Sequence, residues 1–184
     1  MIYVLGLIFK TVLFFSSYIP IFLMIFLNNL DSFSNSSIKK TWDKNPSLWI
    51  SMIVLSIVTL LILLLWIRIL KKEAADTTKQ QYQLKDLKKY DTEVLNFFVT
   101  FIIPILSLKP ESGPSIMMNL VLVIIEGIYY ISNNALYFNV ILIILGYHVY
   151  TFSNDNIVIS RKTIDQLFIK PEASQIGTTN IFYA

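Results

Sequence analysis

The chain alternates long apolar runs with polar stretches, and its most informative part is residues 116–152. There two apolar segments are joined by Ser132-Asn133-Asn134, with Glu126, Asn139 and His148 set inside them. A bilayer-spanning helix needs about 20 mostly apolar residues, and residues 2–27 meet that length with interruptions only at Lys10 and around Ser16, Ser17, Tyr18 and Pro20. The run is too long for a signal peptide, and Asn28-Asn29-Leu30-Asp31 follows in place of a small-residue cleavage site, so it is expected to remain as a span. Lys10 can extend its amine to the interface. Pro20 is expected to kink the helix, with the preceding hydroxyls satisfying freed carbonyls.

Residues 28–47 are polar, and Trp42 and Trp49 bracket Pro46 in the manner of interfacial anchors. Residues 48–70 form the cleanest span. Residues 71–93 are cationic, and within them 79–90 has helical character with Tyr82, Leu84, Leu87 and Tyr90 as its apolar positions, which predicts an amphipathic segment on headgroups or a solvated helix. Residues 94–108 are apolar but number only about 15 and contain Asn96, Thr100 and Pro104. That is short for a span, so a re-entrant or interfacial segment covered by protein is expected.

Residues 116–131 and 135–152 are expected to pair as antiparallel spans. Asn119, Glu126 and Asn133 recur every seven residues, and Tyr130 lies one turn from Glu126, so this stripe should face protein. Asn139 and Gly146 share the same spacing and put an amide and a close-approach site on one face. Folding the hairpin at its turn sets Glu126 near Asn139 and Asn119 near His148. Three roles stay open for these groups: helix or subunit assembly, a proton or ion pathway, and sensing, with Glu126 coupling packing to membrane state. His148 reads as an interfacial histidine, since it is the sole histidine and has no carboxylate cluster beside it. In the tail, 156–161 predicts a short strand and 163–169 a helical turn ended by Pro171. Residues 173–184 are expected to be mobile, with Ile181-Phe182-Tyr183 available to dock on a partner.

Composition strengthens the membrane reading, because 55% of the 184 residues are hydrophobic and only 15% charged. The expected fold is an all-α integral membrane protein with four transmembrane helices at 2–27, 48–70, 116–131 and 135–152. A short re-entrant or interfacial segment precedes the third, and a loop at 71–93 and a tail at 153–184 complete the chain. The connection after the second span carries Arg68, Lys71, Lys72, Lys79, Lys85, Lys88 and Lys89, against Lys39, Lys40 and Lys44 in the loop before it. The positive-inside rule therefore places that connection and the N-terminus in the cytoplasm. If 94–108 crossed, the tail would lie outside; if it returned, the tail would lie inside, which its Arg161, Lys162 and Lys170 favour. Cations flanking apolar runs explain the net charge of +3 without nucleic-acid binding. The absence of cysteine excludes disulfides and thiol chemistry. No nucleophile–base pair, phosphate loop or metal-ligand spacing is present, so no enzyme activity, cofactor or metal is expected.

Three stretches carry a resemblance. They are Phe14-Phe15-Ser16-Ser17-Tyr18-Ile19-Pro20, then Val94-Leu95-Asn96-Phe97-Phe98-Val99-Thr100-Phe101-Ile102-Ile103-Pro104, and above all Leu136-Tyr137-Phe138-Asn139-Val140-Ile141-Leu142 running into Leu145-Gly146-Tyr147-His148-Val149-Tyr150, with Ile159-Ser160-Arg161-Lys162 behind. Together they resemble the KwaA family, the membrane subunit of the Kiwa bacterial anti-phage system. Val140 departs from the proline expected after Asn139. The resemblance implies a four-span inner-membrane protein that forms a homo-oligomer, a tetramer, and detects phage attack at the envelope. It also implies a cytoplasmic DNA-binding partner, KwaB, met by the loop and tail, whose candidate contacts are Lys85, Lys88, Lys89, Arg161 and Lys162. Two other classes fit the residues: a small subunit of a transport or respiratory complex, and a pore-forming oligomer.

Overall fold

The computed structural model describes residues 2–74, 81–88, 103–132, 139–153, 156–169, 171–175 and 180–184. Helices α1 (Ile2–Ser17) and α2 (Ile19–Asn28) form one apolar rod interrupted at Tyr18. Pro20 has no amide hydrogen to continue the ladder, and the Ser16 and Ser17 hydroxyls donate to the carbonyls of Leu13 and Phe14 at 2.9 and 2.6 Å. The short helix α3 (Asn35–Lys44) starts at Ser34, whose hydroxyl accepts from the Ser37 amide at 3.2 Å. Helix α4 (Pro46–Ala74) runs for 29 residues, about 44 Å at 1.5 Å per residue. Trp49 is buried, donates its indole N–H to Thr41 and meets Phe26 edge-on, so it fastens α3 to α4 rather than anchoring in an interface.

After α4 come β1 (Gln81–Gln83), the single-turn α5 (Ile103–Leu106), α6 (Gly113–Ser132) and the short α7 (Val140–Ile144). The stretches Leu7–Asn28, Pro46–Lys72 and Gly113–Ser132 are each long and apolar enough to cross a membrane. Their outward surfaces are apolar: α4 exposes Ile53, Val54, Ile57 and Leu61, and α6 exposes Met118, Val121, Ile125 and Ile128. In water these surfaces would be costly, whereas hydrocarbon accepts them.

The remaining chain gives β2 (His148–Phe152), β3 (Asn156–Ser160), α8 (Ile164–Ile169), β4 (Glu172–Gln175) and β5 (Ile181–Tyr183). They join β1 in a five-stranded sheet of order β1-β4-β5-β3-β2, mostly antiparallel but parallel between β3 and β5. Alternation along the strands gives the sheet two buried faces. Ile157, Ile159 and Ile181 join the core that contains Leu13, Ile67 and Leu70. Tyr150, Phe152, Val158 and Phe182 face the other way and pack with Leu84, Leu87 and with Leu167 of α8.

The helical layer has two distinct ends. At the α3 end, Asn28, Asn29 and Asn45 donate to the carbonyls of Leu106, Leu108 and Pro110, and Lys44 pairs with Glu111 at 3.3 Å. The sheet sits at the other end of α4, where Lys71 lies over the Tyr147 ring. Lys88 pairs with Thr151 beside β2, whereas α5 lies against α2 near the α3 end.

Several expectations are corrected. The protein is not all-α. The run 135–152 is not a transmembrane helix: its described part is α7, a left-handed turn at Gly146 (φ +76°) and β2. A fully buried strand and a helix segment share the same apolar signature, and the β-branched and aromatic residues of His148–Phe152 settle into the sheet. Residues 81–88 are a strand followed by a bend at Asp86 (φ +56°) rather than an amphipathic helix, because Leu84 and Leu87 are held under the sheet. The segment 173–184 supplies β4 and β5, and Ile181-Phe182-Tyr183 docks on β3 of its own chain. Residues 94–102 of the expected re-entrant segment lie outside the described residues.

Candidate functional site

Two polar groups buried within the helical layer, Glu126 and Asn139, meet the first apolar rod rather than each other. The break before Pro20 turns Tyr18 toward α6, where its hydroxyl donates to the carboxylate of Glu126. Glu126 shares the buried face of α6 with Asn119, Gly127 and Tyr130. Gly127 lets Phe14 approach: a Cβ there would stand 3.1 Å from the Phe14 ring. That ring packs edge-on to Tyr18 and tilted against Tyr130, with centroids 4.9 and 5.3 Å away. An apolar groove of about 420 Å³ runs beside this contact, lined by Thr11, Phe15, Leu120, Ile124 and Ile128 among others.

Asn139 forms the second node. Its amide nitrogen donates to the Leu13 carbonyl at 2.6 Å and to the Ser16 hydroxyl at 2.7 Å. Its oxygen accepts from the Leu142 amide at 2.8 Å and so caps α7. One side chain therefore ties α1 to the start of the segment that becomes β2. The α7 C-terminus closes through Gly146, with the Tyr147 amide bonded to the Leu142 carbonyl and the Gly146 amide to Ile143.

The expected pairings are replaced. Glu126 bonds Tyr18, not Asn139. Asn119 lies toward the α3 end and donates to the Ser115 carbonyl, whereas His148 begins β2 at the sheet end, half-buried with its ring 6.0 Å from that of Tyr150. Asn139 and Gly146 do not share a helix face; one starts α7 and the other ends it. Among the described residues, Asn119 Oδ1 and Glu126 Oε1 are buried without a hydrogen-bond partner.

Of the candidate surface cations, Lys85 and Lys88 are exposed on the segment after β1. Arg161 instead lies over the Tyr147 ring at 4.8 Å, and Lys162 offers its carbonyl to the Tyr150 hydroxyl. Lys89 is outside the described residues. The sequence marks Ser16 and Tyr18 only as companions of a kink. The signal for a site was present, since polar side chains in an apolar run must find partners across helices.

A family model described as Anti-phage protein KwaA matches residues 9–183. The chain belongs to the KwaA anti-phage family. The match runs from within α1 to β5, so the Tyr18–Glu126 contact, the Asn139 node and the whole sheet fall inside the KwaA region. Comparison with curated proteins and with solved structures gives no match.

Proposed function

We propose that this chain is the non-enzymatic membrane component of an anti-phage system, sensing infection at the bacterial inner membrane and passing the signal to a cytoplasmic DNA-binding partner, KwaB. The helical layer crosses the bilayer with the sheet and both termini inside. The protein works as a homo-oligomer, a tetramer, whose subunits meet through the exposed apolar faces of the spans.

The observation that carries this reading is the position of Asn139. It holds α1 in the middle of the apolar layer, and the sheet begins at His148, one short helix later. A shift of α1 relative to α6 therefore reaches the sheet through a capped, hydrogen-bonded connector rather than a loose linker. Coupling of this kind needs an element with two arrangements that both sites bias, and α7 is short enough to re-seat as a unit.

The test is phage plating on cells carrying Asn139→Leu with KwaB present. Protection should be lost while the protein stays in the membrane fraction and still co-purifies with itself. Full protection at normal protein level would defeat the coupling role. A transport reading makes a different demand, because Glu126→Gln would then abolish ion flux; in the sensing reading reconstituted vesicles show no flux in either form.

A further inference from the structure

The sheet end of α4 carries a cationic cluster that neither the fold nor the buried polar nodes require. Lys71 and Arg161 come from α4 and from the turn after β3, yet their charged groups lie 5.7 and 4.8 Å from the centroid of the same Tyr147 ring. Arg161 is further fixed by a 3.4 Å hydrogen bond to the Leu145 carbonyl. Arg68 and Lys72 are exposed on the same last turns of α4, and Lys162 follows Arg161. Two ion pairs, Lys40 with Asp31 and Lys44 with Glu111, lie at the opposite end. Two like charges drawn to one ring repel each other, and a cation–π contact only partly offsets this. An anion beside them would offset this repulsion.

Position identifies which anion. Lys71 lies within the last residues of the apolar stretch Pro46–Lys72, and the neighbouring Leu70 is fully packed in the core. Tyr147, the ring that both cations approach, is itself 1% exposed. The charges therefore stand where hydrocarbon gives way to headgroups, the level at which basic side chains meet anionic lipid.

We propose that Lys71 and Arg161, converging on Tyr147, bind the phosphate of an anionic phospholipid headgroup. The site rests on the membrane placement proposed above. It ties lipid to both α4 and the strand β3, so lipid occupancy fastens the sheet to the helical layer.

The test is native mass spectrometry of the detergent-purified full chain offered phosphatidylglycerol or phosphatidylcholine, alongside reconstitution into vesicles of each lipid. Phosphatidylglycerol should be retained about thirtyfold more than phosphatidylcholine, as expected for two basic side chains at a headgroup. Lys71→Gln with Arg161→Gln should erase the preference, Lys71→Arg with Arg161→Lys should keep it, and Lys85→Gln with Lys88→Gln should leave it intact. If the double glutamine variant does not fold, Lys71→Gln alone, an exposed position, should lower the preference. Unchanged preference in the glutamine variants overturns the site. Displacement of the lipid by millimolar inorganic phosphate would assign the pair to a free anion, and loss of KwaB with unchanged lipid retention would assign it to a protein contact; either overturns the proposal. Equal entry into both vesicle types with no preference refutes the site alone, whereas failure to enter either refutes the membrane placement.

Discussion

Tyr18 donates its hydroxyl to the Glu126 carboxylate across the α1–α6 contact, with each residue only 1% exposed. The contact joins the break in the first apolar rod to the centre of α6. Tyr18→Phe leaves the carboxylate buried without its donor, which should cost about 1–3 kcal/mol. Glu126→Leu should cost a similar amount by orphaning the phenol, and the double variant should cost less than the two together. A double-mutant cycle of unfolding in detergent should give a coupling of about 1–2 kcal/mol; additive losses would show that the two groups do not act together.

Asn139 is expected to be the more sensitive node, because it makes three hydrogen bonds to Leu13, Ser16 and Leu142. Asn139→Leu should destabilise the protein by about 2–4 kcal/mol, combining a lost cap with unsatisfied buried groups. Asn139→Ser keeps a capping oxygen but cannot span to α1, and should fall between the two. Ser16→Ala removes one bond and should cost about 1 kcal/mol. The ordering Ser16→Ala, Asn139→Ser, Asn139→Leu in unfolding midpoint checks this assignment.

The spans that could be read from the sequence are those in which apolar length decides the structure, such as Pro46–Lys72, and the Pro20 break was legible from Ser16-Ser17-Tyr18 ahead of a residue with no amide hydrogen. The strand Asn156–Ser160 and the helix Ile164–Ile169 were legible too, from alternation and a terminating proline. The sheet as a whole was not. Its edge strand β1 pairs with β4 far along the chain, Gln81 with Ser174, and β3 pairs in parallel with β5, Ile157 with Ile181, and no local pattern encodes these partners. Seven-residue spacing correctly grouped Asn119 and Glu126 on the buried face of α6. It could not name Tyr18 as the partner, because that choice depends on how α1 and α6 pack.

Gly127 is a second constraint on that packing. A methyl group there would stand 3.1 Å from Phe14, a ring already fixed by contacts with Phe15, Tyr18 and Tyr130. Gly127→Ala gains helix propensity of about 1 kcal/mol but must displace this ring, so a net loss of stability is expected, and Gly127→Leu should lose far more. Combining Gly127→Ala with Phe14→Leu should recover part of the loss. No recovery in thermal unfolding would show that the ring is not what limits position 127.

Tyr183 should impose a pH limit from the sheet side. Burial, reinforced by the neighbouring Tyr147 phenol and partly countered by Arg161, pushes its phenol up to about 12 from an ordinary value of 10.0. A raised phenol favours the neutral form in the folded chain, so its contribution is fully present below about pH 10. As pH rises from about 10 toward 12, the unfolded chain loses this proton first and stability should fall. Other tyrosines titrate in the same range, so the measurement is the difference between the wild type and Tyr183→Phe. The difference between the two unfolding midpoints should change as pH rises above about 10 if burial of Tyr183 is responsible, and should stay constant if it is not. The expected outcome is a steeper alkaline decline for the wild type, localised to the sheet by faster amide exchange along β3 and β5.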